Sequence, residues 1–262
     1  MDRPEEWAPD TVDTTRPNSA RIYDYFLGGS HHFAVDREAA EAALAASPEL
    51  GARMRANRSF LTRAVRYLLA HGIDQFLDLG SGIPTVGNVH EIAQAANPEA
   101  RVVYVDIEPV AVAHARNLLR GNRNATVVQA DLRDPVKVLG DDQVRRTIDF
   151  ARPIGVLIVG TMHFIPDSDD PAGIIAGYRE AMAPGSYLVL THGTATEDMN
   201  QNQFKAVYAR TGTPITLRSQ SDVEAMFNGF ELVGPGVVRL WQWPEPTGDD
   251  HIGGFCGVGL VR

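Results

Sequence analysis

Residues 76–82 read Phe76-Leu77-Asp78-Leu79-Gly80-Ser81-Gly82, an apolar run that breaks into two glycines. The run suits a buried strand, and the glycines suit a tight turn into a following helix. Residues 74–79 are therefore predicted as a strand and 85–96 as the helix after it. Outward from this junction, short apolar stretches alternate with helical ones. Further strands are expected at 101–106, 125–130, 154–160 and 186–191, and helices at 109–120, 171–183 and 199–210. This alternation predicts an α/β fold, a mostly parallel sheet with helices on both faces. Residues 230–241 and 253–261 differ: WPEPTGDDHI joins them and leaves no room for a helix. A short connection predicts an antiparallel pair at the sheet edge.

Before the sheet, residues 1–17 mix Asp, Glu, Pro and Thr and are expected to form a flexible tail. Residues 18–72 read as a helical segment, and 73–262 hold the sheet domain. Asn18 or Ser19 can cap a first helix that Gly28-Gly29 ends. A second helix is predicted from near Asp36 to Ala46, and a third from after Pro48 to His71-Gly72. In the third, Leu50, Met54, Leu61, Val65 and Leu68 form an apolar stripe. Arg53, Arg55, Arg58, Arg63 and Arg66 crowd the remainder; they could bind an acidic acceptor or a ligand carboxylate, although such a row more often marks a solvated face. The aromatics, glycines and histidines of residues 25–33 suit either a lid over a ligand or a packed corner.

A formal net charge of −9 makes nucleic acid a poor partner. A single cysteine, Cys256, allows neither an intrachain disulfide nor a cysteine-based zinc cluster. His31 and His32 are adjacent and not spaced as ligands on one helix face, so no metal is expected. The acidic N-terminus lacks the pattern of a signal peptide. No apolar run approaches the roughly 20 residues that cross a bilayer. A soluble cytoplasmic protein with no membrane partner is expected.

The glycine turn lies where open α/β sheets bind ligands, at the carboxyl end of a strand. A dinucleotide fingerprint requires a third glycine where Thr85 stands. Asp78 instead makes the motif D-x-G-x-G, and its carboxylate would repel a pyrophosphate. The same charge favours the ammonium and sulfonium groups of S-adenosylmethionine. Val102-Val103-Tyr104-Val105-Asp106 ends in a carboxylate 24 residues after Gly82 (106 − 82). This spacing suits an acid that accepts hydrogen bonds from both ribose hydroxyls. Val127 to Leu132 ends similarly: Asp131 could accept the adenine amino group, with Leu132 and Ile107 packed on the ring. NAD and S-adenosylmethionine share adenosine, so the first loop favours the latter.

Methyl transfer is an in-line displacement, governed largely by proximity and alignment. Residues 160–167, after the fourth strand, should face the methyl group, which makes His163 the candidate base or acceptor-orienting group. His192, after the fifth strand, is a weaker candidate. The expected acceptor is a small molecule.

The stretches FLDLGSGIPT, VVYVDIEP and VVQADLRD resemble the first three motifs of class I S-adenosylmethionine-dependent methyltransferases. More narrowly, PNSARIYDYFLGG, HHFAVDR and ANRSFLTRAVRYLLAHGIDQFLDLGSGIPTVGNVHE resemble a bacterial S-adenosyl methyltransferase family formerly known as a domain of unknown function. The resemblance implies a Rossmann-like, seven-stranded sheet with an antiparallel last strand. It also implies that Gly80, Ser81 and Gly82 line the methionine part of the cofactor, Asp106 and Ile107 the ribose and adenine, and Asp131 and Leu132 the adenine. Ile83-Pro84-Thr85 departs from the third-glycine pattern and stiffens the loop. A non-catalytic sensor of the cofactor or its demethylated product remains an alternative, as does a nicotinamide-dependent oxidoreductase.

Overall fold

The computed structural model describes residues 13–85, 87–246 and 253–262. Most of the predicted tail therefore lies outside the described residues. Three helices come first: α1 (Ser19–Phe26), α2 (Ala34–Ala46) and α3 (Leu50–Ala70). Asn18 caps α1, its side chain accepting from the Ala20 and Arg21 N–H groups. The sheet then alternates with helices: β1 (Gln75–Leu79), α4 (Val89–Ala96), β2 (Arg101–Asp106), α5 (Pro109–Leu118) and β3 (Ala125–Gln129). Next come α6 (Pro135–Gly140), α7 (Asp142–Thr147), β4 (Gly155–Ile158), α8 (Pro171–Arg179) and β5 (Tyr187–His192). The chain ends with α9 (Gln201–Ala209), α10 (Gln220–Ala225), β6 (Glu231–Leu232), β7 (Val238–Arg239) and β8 (Phe255–Leu260).

The sheet has eight strands in the order β3-β2-β1-β4-β5-β8-β6, with β7 also on β8. Strands β1 to β5 are parallel, whereas β8 runs antiparallel to β5, β6 and β7. One strand was expected at 230–241. Two short strands form instead, because Gly234-Pro235-Gly236 interrupts the run and proline has no N–H to donate. That split raises the count above the expected seven. The first sheet-domain helix starts at Val89, later than the predicted residue 85, with Glu91 accepting the Asn88 N–H at its N-terminus. The short helices α6, α7 and α10 were not predicted, since six residues carry too little periodicity to read.

Alternate residues of the buried strands feed two cores. On one face Leu77, Val103, Val156 and Leu188 pack with Val138, Ile175 and Met226 of the α6, α8 and α10 side. On the other, Phe76, Val102, Leu157 and Val189 pack with Phe60, Val65 and Leu68 of α3. A third cluster joins Ile22 and Phe26 of α1, Ala39 and Ala43 of α2, and Phe204 and Tyr208 of α9. It makes a roof above the carboxyl ends of the strands. Inside the roof, the Arg21 guanidinium pairs with Asp36 at 2.8 Å, both side chains being buried. No helix among the described residues is long and apolar enough to cross a membrane.

Candidate functional site

The strand order reverses between β1 and β4, leaving a crevice at their carboxyl ends. A cavity of about 520 Å³ occupies this crevice beneath α1, α3 and α9. Every site residue named from the sequence lines it. The described residues contain no cluster of three or more His, Cys, Asp or Glu able to hold a metal ion.

At the β2 end, Asp106 is nearly buried and receives two backbone hydrogen bonds. Its Oδ2 accepts the Gly82 N–H at 2.6 Å and its Oδ1 the Glu108 N–H at 2.8 Å. Burial raises its pKa, and these bonds oppose the rise. Each carboxylate oxygen retains a lone pair for a further donor. Ile107 is 58% exposed, unusual for a large apolar side chain, and lines the cavity with the buried Leu132. Asp131 is held by Arg133, whose Nε and Nη2 donate to Oδ2 at 2.9 and 2.6 Å. Burial pushes the Asp131 carboxyl up, but the Arg133 bonds outweigh it and keep the pKa below its ordinary value. Arg133 also reaches Asp169 at 2.9 Å, tying the loop after β3 to the one after β4. Sequence reasoning missed Arg133, although its position two residues after Asp131 hinted at this pairing.

At the β1 end, the Gly80 and Ser81 N–H groups donate to the Val105 carbonyl at 2.8 and 3.2 Å. Gly80 has φ +74°, and a Cβ there would lie 2.5 Å from the Thr161 side chain. Gly82 has φ +66°. Asp78 is 6% exposed and accepts no hydrogen bond from the described residues. Burial pushes its carboxyl up to about 7; Arg58 opposes this and Asp106 adds to it. Arg58 donates to Thr85 Oγ1 at 3.3 Å, while its buried Nε has no partner. An unbonded carboxylate and a partly bonded guanidinium thus face one cavity, which fits the ammonium and carboxylate of an amino-acid moiety.

The arginine row of α3 divides. Arg55 and Arg66 are exposed, as a solvated face predicts, but Arg53 and Arg58 line the cavity. Arg63 instead donates to the Trp243 and Leu240 carbonyls at 2.9 and 2.6 Å. These bonds fasten the chain after β7 to α3.

Beyond β4, a relay of hydrogen bonds links sheet to roof. The Gly160 N–H donates to Thr191 Oγ1 (2.7 Å), and the Thr191 hydroxyl donates to Asn57 Oδ1 (2.7 Å). Asn57 Nδ2 then donates to the Tyr23 hydroxyl (3.0 Å), which donates to the Met54 carbonyl (3.2 Å). No local signal announces this relay, because Asn57 and Thr191 stand 134 residues apart. His192 is fully engaged. Its Nδ1 lies 2.7 Å from the Gly193 carbonyl and so must donate, while Nε2 accepts from Arg218 Nη1 at 2.9 Å. His163 Nδ1 accepts the Gly193 N–H at 3.4 Å. Burial is the main reason both rings stay neutral, with pKa values lowered to about 3 for His163 and about 4 for His192.

Sheet order and switch-point cavity define a class I methyltransferase fold. A family model for S-adenosyl methyltransferases matches residues 5–262, and the chain belongs to that family. Two crystal structures are similar over nearly the whole length. A DUF574 family protein from Streptomyces avermitilis is 38% identical with TM-score 0.91, over 95% of this chain and 99% of that one. A protein from Thermobifida fusca is 39% identical with TM-score 0.91, over 98% of this chain and 99% of that one. In fold alone, an O-methyltransferase family protein from Burkholderia thailandensis is similar at 13% identity and TM-score 0.53, over 77% of this chain and 55% of that one. No curated protein matches the chain.

Proposed function

We propose that the chain transfers the methyl group of S-adenosylmethionine to a small-molecule acceptor. The observation that carries this reading is one continuous cavity joining Asp78, Asp106 and Asp131 at three strand ends to a chamber at His163. In this reading Asp106 takes the ribose hydroxyls, Ile107 and Leu132 pack on the adenine, and Asp131 accepts its amino group. Asp78 and Arg58 hold the ammonium and carboxylate, over the Gly80-Ser81-Gly82 backbone. The bound cofactor supplies an electrophilic methyl on a sulfonium sulfur. The protein's own work is to align that methyl with the acceptor and exclude water, which α1, α3 and α9 do from above. The lone Cys256 fits a reducing cytoplasm.

Calorimetric titration with S-adenosylhomocysteine and with NAD tests the cofactor. The thioether is expected to bind and NAD to give no heat; the reverse result would establish the oxidoreductase reading. Incubation with methyl-labelled cofactor and a bacterial metabolite extract tests the reaction. A labelled small molecule is expected, and its absence across a broad extract would favour the sensor.

A further inference from the structure

Apart from Asp78 at the β1 end, assigned above to the cofactor ammonium, the chamber beyond β4 has hydrogen-bond donors but no group free to take a proton. The Tyr23 hydroxyl is spent on the Met54 carbonyl, Thr191 on Asn57 and Thr194 on the Arg218 carbonyl. Both ring nitrogens of His192 are bonded. Asp167 and Asp198 are each paired with an arginine, Arg218 and Arg53. That leaves His163. A backbone N–H points at its Nδ1, so the neutral ring carries its proton on Nε2. Nε2 has no partner among the described residues, and the residue lines the cavity. The ring therefore presents an N–H to whatever lies in the chamber, and it cannot act as a base there.

We infer that the methyl acceptor is an anionic oxygen, a carboxylate or an acidic phenol or enol, on an apolar body, held by the Nε2–H of His163. This rests on the methyltransferase reading above. An oxygen anion has several lone pairs, so it can attack carbon with one while accepting the His163 N–H with another. A neutral amine has one lone pair, which the same hydrogen bond would occupy. The apolar body follows from the rest of the chamber, where Phe164, Tyr208, Phe204, Met54 and Met199 form the wall. Phe164 and Phe204 pack on Tyr208 with ring centroids 5.7 and 4.9 Å apart from it. In the transfer an oxygen lone pair forms the new O–CH₃ bond as the C–S bond breaks. The C–S pair returns to sulfur, which becomes a neutral thioether, and the protein receives no proton.

The test uses the full chain saturated with S-adenosylhomocysteine, whose binding is verified first. Failure at that stage would sink the methyltransferase reading and this inference with it, whereas the later steps bear on the inference alone. Benzoate, 4-nitrophenolate in its ionised form and aniline, an amine that is neutral near pH 7, are then titrated calorimetrically. At least one anion is expected to bind better than the amine, and which one does separates carboxylate from phenolate acceptors. His163→Phe should weaken that binding by about 10–100-fold, the scale of a lost charge-assisted hydrogen bond, while His163→Gln, which keeps an N–H, recovers part of it. Nitrogen-15 NMR of the histidine rings is expected to show His163 as the Nε2–H tautomer throughout the neutral range. Preference for aniline, binding of none of the three probes, or a proton on Nδ1 of His163 would overturn the inference.

Discussion

A carboxyl pushed up to about 7 is half protonated near neutrality, and a bound ammonium would draw its proton off. In the proposed role, Asp78 should therefore make cofactor binding pH-dependent. Ligand favours the carboxylate, so S-adenosylhomocysteine affinity should climb as pH rises, by up to about tenfold per unit below 7, and then level off. Calorimetry across this range checks the slope, and Asp78→Asn should flatten it. Stability moves the other way. The folded pKa lies above the ordinary 3.8, so the cost of the buried charge is absent below 3.8, grows with pH and is complete above about 7. Gly80 couples site and fold as well. The sequence alone suggests that Gly80→Val would abolish binding in a folded chain. The positive φ and the 2.5 Å approach to Thr161 add a stability loss of about 2 kcal/mol or more, to be read by chemical denaturation. The three aspartates were legible because each stands at or close to the carboxyl end of an apolar run. Arg58 was legible only as one of a row that could bind a carboxylate, because the helical pattern does not say which arginine turns inward.

Among the helices, the roof depends on one buried ion pair. Asp36 accepts from Arg21 Nε and also from the Phe33 and Asn18 N–H groups. Asp36→Ala would leave the guanidinium of Arg21, 2% exposed, with only the Asp13 and Arg16 carbonyls and Glu108 at 3.6 Å. A loss of about 3–5 kcal/mol is expected in urea unfolding, with Asp36→Asn intermediate. Helices α1 to α3 and strands β1 to β5 could be read from capping residues, apolar runs and glycine stops. The pair β6 and β7 could not, since two-residue strands exist only through their partner β8.

Across the whole molecule, Glu108 ties the roof to the sheet. It follows Asp106 and Ile107, accepts from Asn18 Nδ2 at 2.7 Å, and lies 3.6 Å from Arg21 Nη1. Glu108→Ala should free α1, seen as faster amide hydrogen exchange in residues 19–26, and weaken S-adenosylhomocysteine binding about threefold to tenfold. Unchanged exchange would show that α1 is held by its apolar contacts alone. The crevice itself could be foreseen, because it arises where neighbouring strands end. The clasp that holds its ceiling could not, because Asn18 and Glu108 stand 90 residues apart. That clasp also bears on timing. A ligand that leaves past α1 has to part the Asn18–Glu108 bond, so its residence time should track the unlatching of one short helix, and solvent viscosity should slow both alike.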